Sequence, residues 1–150
     1  METSCEIKKL GKNDQLLAKQ LLEEWYKDDG QLNPSFPKEK YLSSLLNKED
    51  FHAFVAVVNN LVVGGLTAYE LPMFDVEANE MFLYEIGVSK AYRQKGIAKK
   101  LIEALREVCF SKEIKVIFVG TSMDNEVAKK LYETTGAEIE IIPWFTYNLK

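Results

Sequence analysis

The chain has 150 residues, 47% of them apolar and 28% charged, with a formal net charge of −4. This suits one domain over residues 1–150 with a sizeable core; no apolar run approaches the ~20 residues of a membrane span, and the charge argues mildly against nucleic acid as a partner. The N-terminal METSCEIKKLGKND lacks the apolar segment of a signal peptide, and Cys5 and Cys109 make neither a disulfide framework nor a metal spacing, so both read as reduced thiols of a cytoplasmic protein.

Cys5–Leu10 predicts a short first strand. Asn13 or Asp14 can cap a helix whose apolar residues Leu16, Leu17, Leu21, Leu22 and Trp25 fall at helical spacing, ending near Tyr26 before Asp28-Asp29-Gly30. After a loop over Gln31–Pro37, Pro37 suits the first turn of a second helix to about Leu46. Phe51–Val58 and Leu61–Leu71 are apolar and β-branched, and Asn59-Asn60 between them suits a tight hairpin, because Asn tolerates positive φ. Gly64-Gly65 predicts a bulge or a close backbone approach. Pro72–Asn79 is a loop, and Met81–Val88 is the central strand, with a bulge expected at Gly87. A helix from about Gly96 to Phe110 carries Ile97, Leu101, Ile102, Leu105, Val108 and Cys109 toward a core. Ile114–Gly120 is a strand, Asn125 caps a last helix that stops at Gly136, and Ala137–Ile142 and Phe145–Leu149 read as closing strands. The order β-α-α-β-β-β-α-β-α-β-β predicts a mixed α/β (α+β) domain on a largely antiparallel sheet, with Met81–Gly120 as a parallel β-α-β crossover.

The stretch between the central strand and the third helix carries the chemistry. Arg93-Gln94-Lys95-Gly96-Ile97-Ala98 opens a helix with Lys99 and Lys100 close behind. A helix start offers unpaired N–H groups and the positive end of the macrodipole, so phosphate oxygens suit it. Gly96 has no Cβ to hold a ligand off the backbone. The three glycines of a dinucleotide fingerprint and the Gly-Lys-Ser/Thr of a P-loop are both missing.

The pattern Arg93-x-x-Gly96-x-Ala98 resembles the pyrophosphate loop of the GNAT superfamily of N-acetyltransferases, which hold acetyl-coenzyme A. A second family element follows in order, as Asn125, Ala128, Tyr132 and Gly136. The stretches FVAVVNNLVVGGLTAYELPMFD, NEMFLYEIGVS and YRQKGIAKKLIEAL are similar to the aminoglycoside 3-N-acetyltransferase (gentamicin) branch. The resemblance implies a sheet of about seven strands with about four helices and a central crossover that binds acetyl-CoA. It implies direct acetyl transfer to a primary amine, with no metal. The cradle would be the backbone of Gln94, Lys95, Gly96, Ile97 and Ala98 in the field of Arg93 and the lysines. The pantetheine arm would pair with Ile86, Gly87 and Val88 as an extra strand, and Asn125 would contact it. Tyr132 would be the general acid for the leaving thiolate.

An alkyl ammonium must lose a proton before it attacks, and Glu85 on the central strand is the candidate base, with Glu80 second. Residues 70–89 hold five acids (Glu70, Asp75, Glu77, Glu80 and Glu85) and no Lys or Arg, whereas residues 90–102 hold five bases and no acid. An anionic cosubstrate therefore suits the second run and a cationic acceptor the first, with Asp28, Asp29, Asp75, Glu77 and Glu80 as candidate acceptor-binding acids; a solvated face is the ordinary alternative for each. The expected acceptor is an aminoglycoside. The rival readings are a polyamine or protein N-terminus as acceptor, or a non-catalytic acyl-CoA sensor. The family resemblance also allows a homodimer formed through the C-terminal strands, near Trp144, Phe145 and Tyr147.

Overall fold

The structure, a computed structural model, describes residues 4–150. Two compact units divide the chain, one ending at Gly120 and the other running Thr121–Lys150.

The first unit holds a sheet of five strands: β1 (Cys5–Lys9), β2 (Phe51–Val58), β3 (Leu61–Pro72), β4 (Asn79–Val88) and β5 (Ile117–Phe118), side by side in that order. β1 to β4 are antiparallel neighbours, and β5 lies parallel to β4. Helices α1 (Gln15–Asp28) and α2 (Glu39–Leu46) connect β1 to β2, and α3 (Ile97–Ser111) makes the crossover from β4 to β5. Mixed α/β class and parallel crossover are thus as the sequence predicts.

Alternation along the strands builds a core on each face. Phe51, Ala53, Val55 and Val62 meet Leu21, Leu42 and Leu46 of α1 and α2. The opposite parity supplies Phe54, Ala56, Leu66, Ala68, Met81 and Leu83, all buried, and α3 packs against β2, β3 and β4 with its buried stripe Ile97, Leu101, Ile102, Leu105 and Cys109. Burial raises the Cys109 thiol pKa, which keeps it a protonated core group.

Both glycines in β3 serve close approach. A Cβ on Gly65 would stand 2.4 Å from Leu21 Cδ2 and 2.7 Å from the Phe54 carbonyl oxygen, and one on Gly64 would stand 2.8 Å from the Gly87 carbonyl oxygen. The expected bulge falls beside them at Val63, where Ala56 pairs with Gly64 and Val57 with Val62.

Three expectations are corrected. The bulge in β4 lies at Tyr84, not Gly87: Ala68 faces Leu83, Thr67 faces Glu85, and Gly87 pairs regularly with Gly65. Asp14 stands at the N-cap of α1, yet its side chain makes no cap; it accepts the Gly11 N–H at 2.7 Å instead. Five strands replace the expected seven. The fifth is two residues long, and residues 137–150 carry no strand. A strand exists only where a second backbone edge takes up its N–H and C=O groups. The alternation in 137–142 and 145–149 suits an edge, but no edge among the described residues pairs with it.

The second unit contains α4 (Glu126–Thr134). Its N-terminus is capped as predicted, with Asn125 Oδ1 accepting the Ala128 N–H at 3.1 Å. Gly136, at φ 99°, turns the chain out of it.

On the α3 face, at the end of the sheet away from the β4–α3 junction, His52, Glu70, Asn79 and Lys112 form one network. Glu70 Oε1 accepts from Lys112 Nζ at 2.5 Å and bonds His52 Nε2 at 2.7 Å, and Oε2 accepts from Asn79 Nδ2 at 3.2 Å. Burial alone would raise the Glu70 pKa. The Lys112 and His52 hydrogen bonds, the Lys112 charge and Asn79 outweigh it, so it lies below the ordinary 4.5. Burial lowers the His52 pKa below 6.5 and holds the ring neutral, consistent with Nδ1 having no partner.

Two consequences follow. Gly65→Ala should lower stability by about 1–3 kcal/mol, read from urea denaturation, because the Phe54 carbonyl it meets is backbone and cannot swing away. Glu70→Ala should cost about 1–3 kcal/mol at neutral pH by leaving the buried His52 Nε2 unpaired. Both shifted groups have lowered pKa values, so their stabilisation is present above the ordinary 6.5 and 4.5 and is lost as pH falls through the folded values. The gap between wild type and Glu70→Ala should therefore narrow below pH 4.5, and a constant gap would remove Glu70 ionisation as its cause.

Candidate active site

β4 is paired along its whole length on one side and hardly at all on the other. β3 follows it from Asn79 to Val88, whereas β5 meets it only at Met81 and Phe82. From Leu83 to Val88 the edge turned away from β3 has no strand partner among the described residues. Apart from the Gly87 and Val88 carbonyls, which Trp25 and Arg93 take up, its backbone groups can pair with an amide-bearing ligand. Ile86, Gly87 and Val88 lie on this stretch.

The chain then makes a 3₁₀ turn over Lys90–Tyr92 and enters α3. Gln94 and Gly96 are both left-handed, at φ 61° and 77°. Gly96 is the N-cap of α3, no side chain caps it, and the first turn holds no acid. The first-turn N–H groups, including those of Ile97 and Ala98, are therefore left to a ligand. A Cβ on Gly96 would meet nothing within 4 Å, so glycine suits this position for its positive φ. Lys95, Lys99 and Lys100 are exposed around it, with Lys95 Nζ 5.3 Å from the Tyr92 ring centroid.

Arg93 is built into the frame. Its Nε donates to the Val88 carbonyl at 2.8 Å, and a terminal nitrogen reaches Asp28 at 3.3 Å. Two more contacts join the end of α1 to the same junction. Trp25 Nε1 donates to the Gly87 carbonyl at 3.2 Å, and Ser89 Oγ donates to Glu24 at 2.9 Å. Trp25 also fills the space above Gly87, where a Cβ would come within 2.7 Å of its Nε1. The Gly87 carbonyl is thus already engaged. Asp28 is turned to the β4–α3 junction, while Asp29 is exposed.

Glu85 projects from the bulge on the α1 and α2 face and is exposed. Thr67 Oγ1 donates to its Oε2 at 2.6 Å, and no Lys, Arg or His among the described residues pairs with it. Beside it the Tyr69 and Tyr84 rings meet edge to face at 5.5 Å. Burial chiefly, and then the Glu85 charge, raise the Tyr69 pKa. Aromatic contacts continue the floor, from Phe51 to Tyr69 and from Tyr84 through Phe82 to Phe118. A carboxylate without a cation beside phenol rings suits an alkyl ammonium.

The remaining acids lie elsewhere. Asp75 and Glu77 are exposed in the turn between β3 and β4, beyond Asn79, which itself lies roughly 20 Å along β4 from Glu85. Glu80 faces Leu71 near the start of β4, roughly 16 Å along the strand from Glu85. The structure does not bring these three to Glu85. In the second unit, Tyr132 follows Asn125 by seven residues, about 10 Å of helix, and burial raises its pKa, so its phenol holds its proton at neutral pH. Thr67, Trp25, Tyr69 and Tyr84 escaped the sequence reading. Only the strand register could have found Thr67, and that register turns on the bulge at Tyr84.

Among the described residues no group of three His, Cys, Asp or Glu could hold a metal ion, and no helix is long and apolar enough to cross a membrane.

Comparison with known proteins agrees with this geometry. The acetyltransferase (GNAT) family profile matches residues 17–137. An uncharacterised N-acetyltransferase of Bacillus subtilis is 30% identical over 113 residues, covering 75% of this chain and 71% of its own. An aminoglycoside N(6')-acetyltransferase type 1 of Salmonella enteritidis is 26% identical over 123 residues, 78% of this chain and 85% of its own. Among solved structures, an aminoglycoside acetyltransferase from an uncultured soil metagenomic sample, in complex with sisomicin, superposes with a TM-score of 0.91 at 31% identity and 97% coverage of both chains. A family profile over most of the chain, on a sheet whose fourth strand leads into an uncapped helix, identifies the chain as an N-acetyltransferase of the GNAT family.

Proposed function

We propose that the protein transfers the acetyl group of acetyl-CoA to a primary amine of a polycationic small molecule, an aminoglycoside, with both units acting as one cytoplasmic acetyltransferase domain. The observation that carries this reading is the unpaired β4 edge, Leu83 to Val88, leading into the uncapped N-terminus of α3. The backbone of Gln94 to Ala98 would hold the pyrophosphate. Ile86, Gly87 and Val88 would hold the amides of the arm, with Asn125 as a further contact. Acetyl-CoA supplies an activated thioester. Glu85 takes the proton of the acceptor ammonium, directly or through water, and Tyr132, protonated at neutral pH, gives a proton to the leaving thiolate. The sisomicin complex of the metagenomic relative supports an aminoglycoside as the acceptor. The Salmonella relative is named for the 6' position, whereas the sequence stretches resemble the 3-N branch, so the acetylated amine is the finer question. We also read the exposed Ile139, Ile141, Trp144, Phe145, Tyr147 and Leu149 as a homodimer contact, for which light scattering should return twice the chain mass.

The test is thiol release from acetyl-CoA with gentamicin, kanamycin, spermidine and a short peptide, with the product located by tandem mass spectrometry. An acetylated aminoglycoside is the expected product, and the fragment pattern separates position 3 from 6'. Turnover of spermidine or peptide alone would sink the aminoglycoside assignment, and tight binding without turnover would favour a sensor. Glu85→Gln and Tyr132→Phe should each lower kcat/KM by about 100-fold, the usual worth of a positioned acid or base.

The cradle has its own test. Gly96→Ala should raise the calorimetric Kd for acetyl-CoA by about tenfold, since a left-handed alanine costs about 1–2 kcal/mol. An unchanged Kd would remove the cradle from this position.

A further inference from the structure

We propose that Thr67 is a positioning residue for Glu85: its hydroxyl, held in the wall of β3, fixes the carboxylate so that one oxygen is left for the acceptor amine. This rests on Glu85 being the base, as read above.

Glu85 is exposed on an open face and has three rotatable side-chain bonds. Nothing but Thr67 hydrogen-bonds it among the described residues, and no cation pairs with it. Left alone, such a carboxylate samples several rotamers in water and seldom meets the ammonium in a productive geometry. Thr67 supplies what is lacking. It is 9% exposed, sits in the interior of β3, and is β-branched, so its χ1 is stiff. Its Oγ1 donates to Oε2 at 2.6 Å, the short range of a hydroxyl bonded to a charged oxygen. Oε1 then has no hydrogen-bond partner among the described residues and is left for the substrate.

The backbone arranges this pairing. Counting back from Ala68 opposite Leu83, a regular ladder would set Thr67 opposite Tyr84. The extra residue at the bulge sets Glu85 there instead. The bulge therefore does two things: it places the base across from its only donor among the described residues, and it leaves the Tyr84 ring beside Tyr69. Tyr69 of β3 and Tyr84 of β4 are the titratable groups that face the carboxylate, and Tyr41 of α2 acts on Tyr69 in turn.

In the step itself, one N–H bond of the acceptor ammonium breaks and its electron pair stays on nitrogen. The proton passes to Oε1 of Glu85, directly or through one water. The Thr67 hydroxyl keeps its own proton and its bond to Oε2 throughout.

The test compares Thr67→Val, which keeps shape and loses the hydroxyl, with Thr67→Ser, which keeps the hydroxyl. Thr67→Val should lower kcat by about tenfold, the scale of a modest misplacement, and should leave KM for the amine within about twofold and the calorimetric Kd for acetyl-CoA unchanged. Thr67→Ser should restore kcat to within about threefold of wild type. In a Glu85→Gln background, Thr67→Val should cause no further loss, because a positioning residue has nothing left to position. Thr67→Ala gives the same comparison if the valine variant folds poorly. Full kcat in Thr67→Val, equal impairment in Thr67→Ser, or additive losses with Glu85→Gln would each overturn the proposal. A wild-type chain that releases no thiol with any amine would instead sink the acetyltransferase step, and this proposal with it.

Discussion

The parting of β4 from β5 is the constraint on which the site depends. The two strands share a register for two residues, Met81 with Ile117 and Phe82 with Phe118, and then separate. A buried strand with an unpaired edge is costly, because every N–H and C=O along it wants a partner. The fold leaves that edge open and ends it at a helix N-terminus with the same shortage of partners. Two stretches of backbone short of strand and helix partners lie end to end, with the Gly87 and Val88 carbonyls taken up by Trp25 and Arg93. The side chains around them hold the backbone in place.

Their work is visible at the end of α1. Glu24, Trp25 and Asp28 bond Ser89, Gly87 and Arg93 in turn. The sequence offers Asp28 as an acid at a helix C-terminus, where a carboxylate is electrostatically misplaced. The structure resolves the misplacement through Arg93, whose guanidinium joins Asp28 to the Val88 carbonyl. The residue type was legible, and so was the oddity of its position. Its partner was not, because the pairing spans sixty-five residues and arises only when α1 packs across the sheet.

Local signals carried further than pairing signals. Helical spacing located all four helices to within a few residues, and Asn59-Asn60 marked the hairpin, where both residues take positive φ. Gly96 marked the start of α3, where it is the N-cap at positive φ. Glycine is the usual sign of a bulge, which points to Gly87. The structure uses that glycine to admit the Trp25 indole and places the bulge at Tyr84, a residue with no local bulge signature. The apolar alternation after Gly136 failed for a related reason: alternation states which face of a segment is apolar and says nothing about which edge will take it up.

Glu70 and Glu85 show why residue type alone does not assign a role. Both are acids in apolar strands, and both fall in the same lysine-free run of sequence. They lie on opposite faces of the sheet. Glu70 is buried and receives bonds from Lys112, His52 and Asn79. Every one of its oxygens is committed, so ionisation there contributes to stability and cannot be spent on a substrate. Glu85 is exposed and, among the described residues, has a single neutral donor and no cation, so one oxygen stays uncommitted. A carboxylate can act on an outside proton only if the fold has left it incomplete, and of these two only Glu85 meets that condition. The difference is set by which face each residue takes and by what stands across from it. At Glu85 both are decided by one extra residue in the ladder.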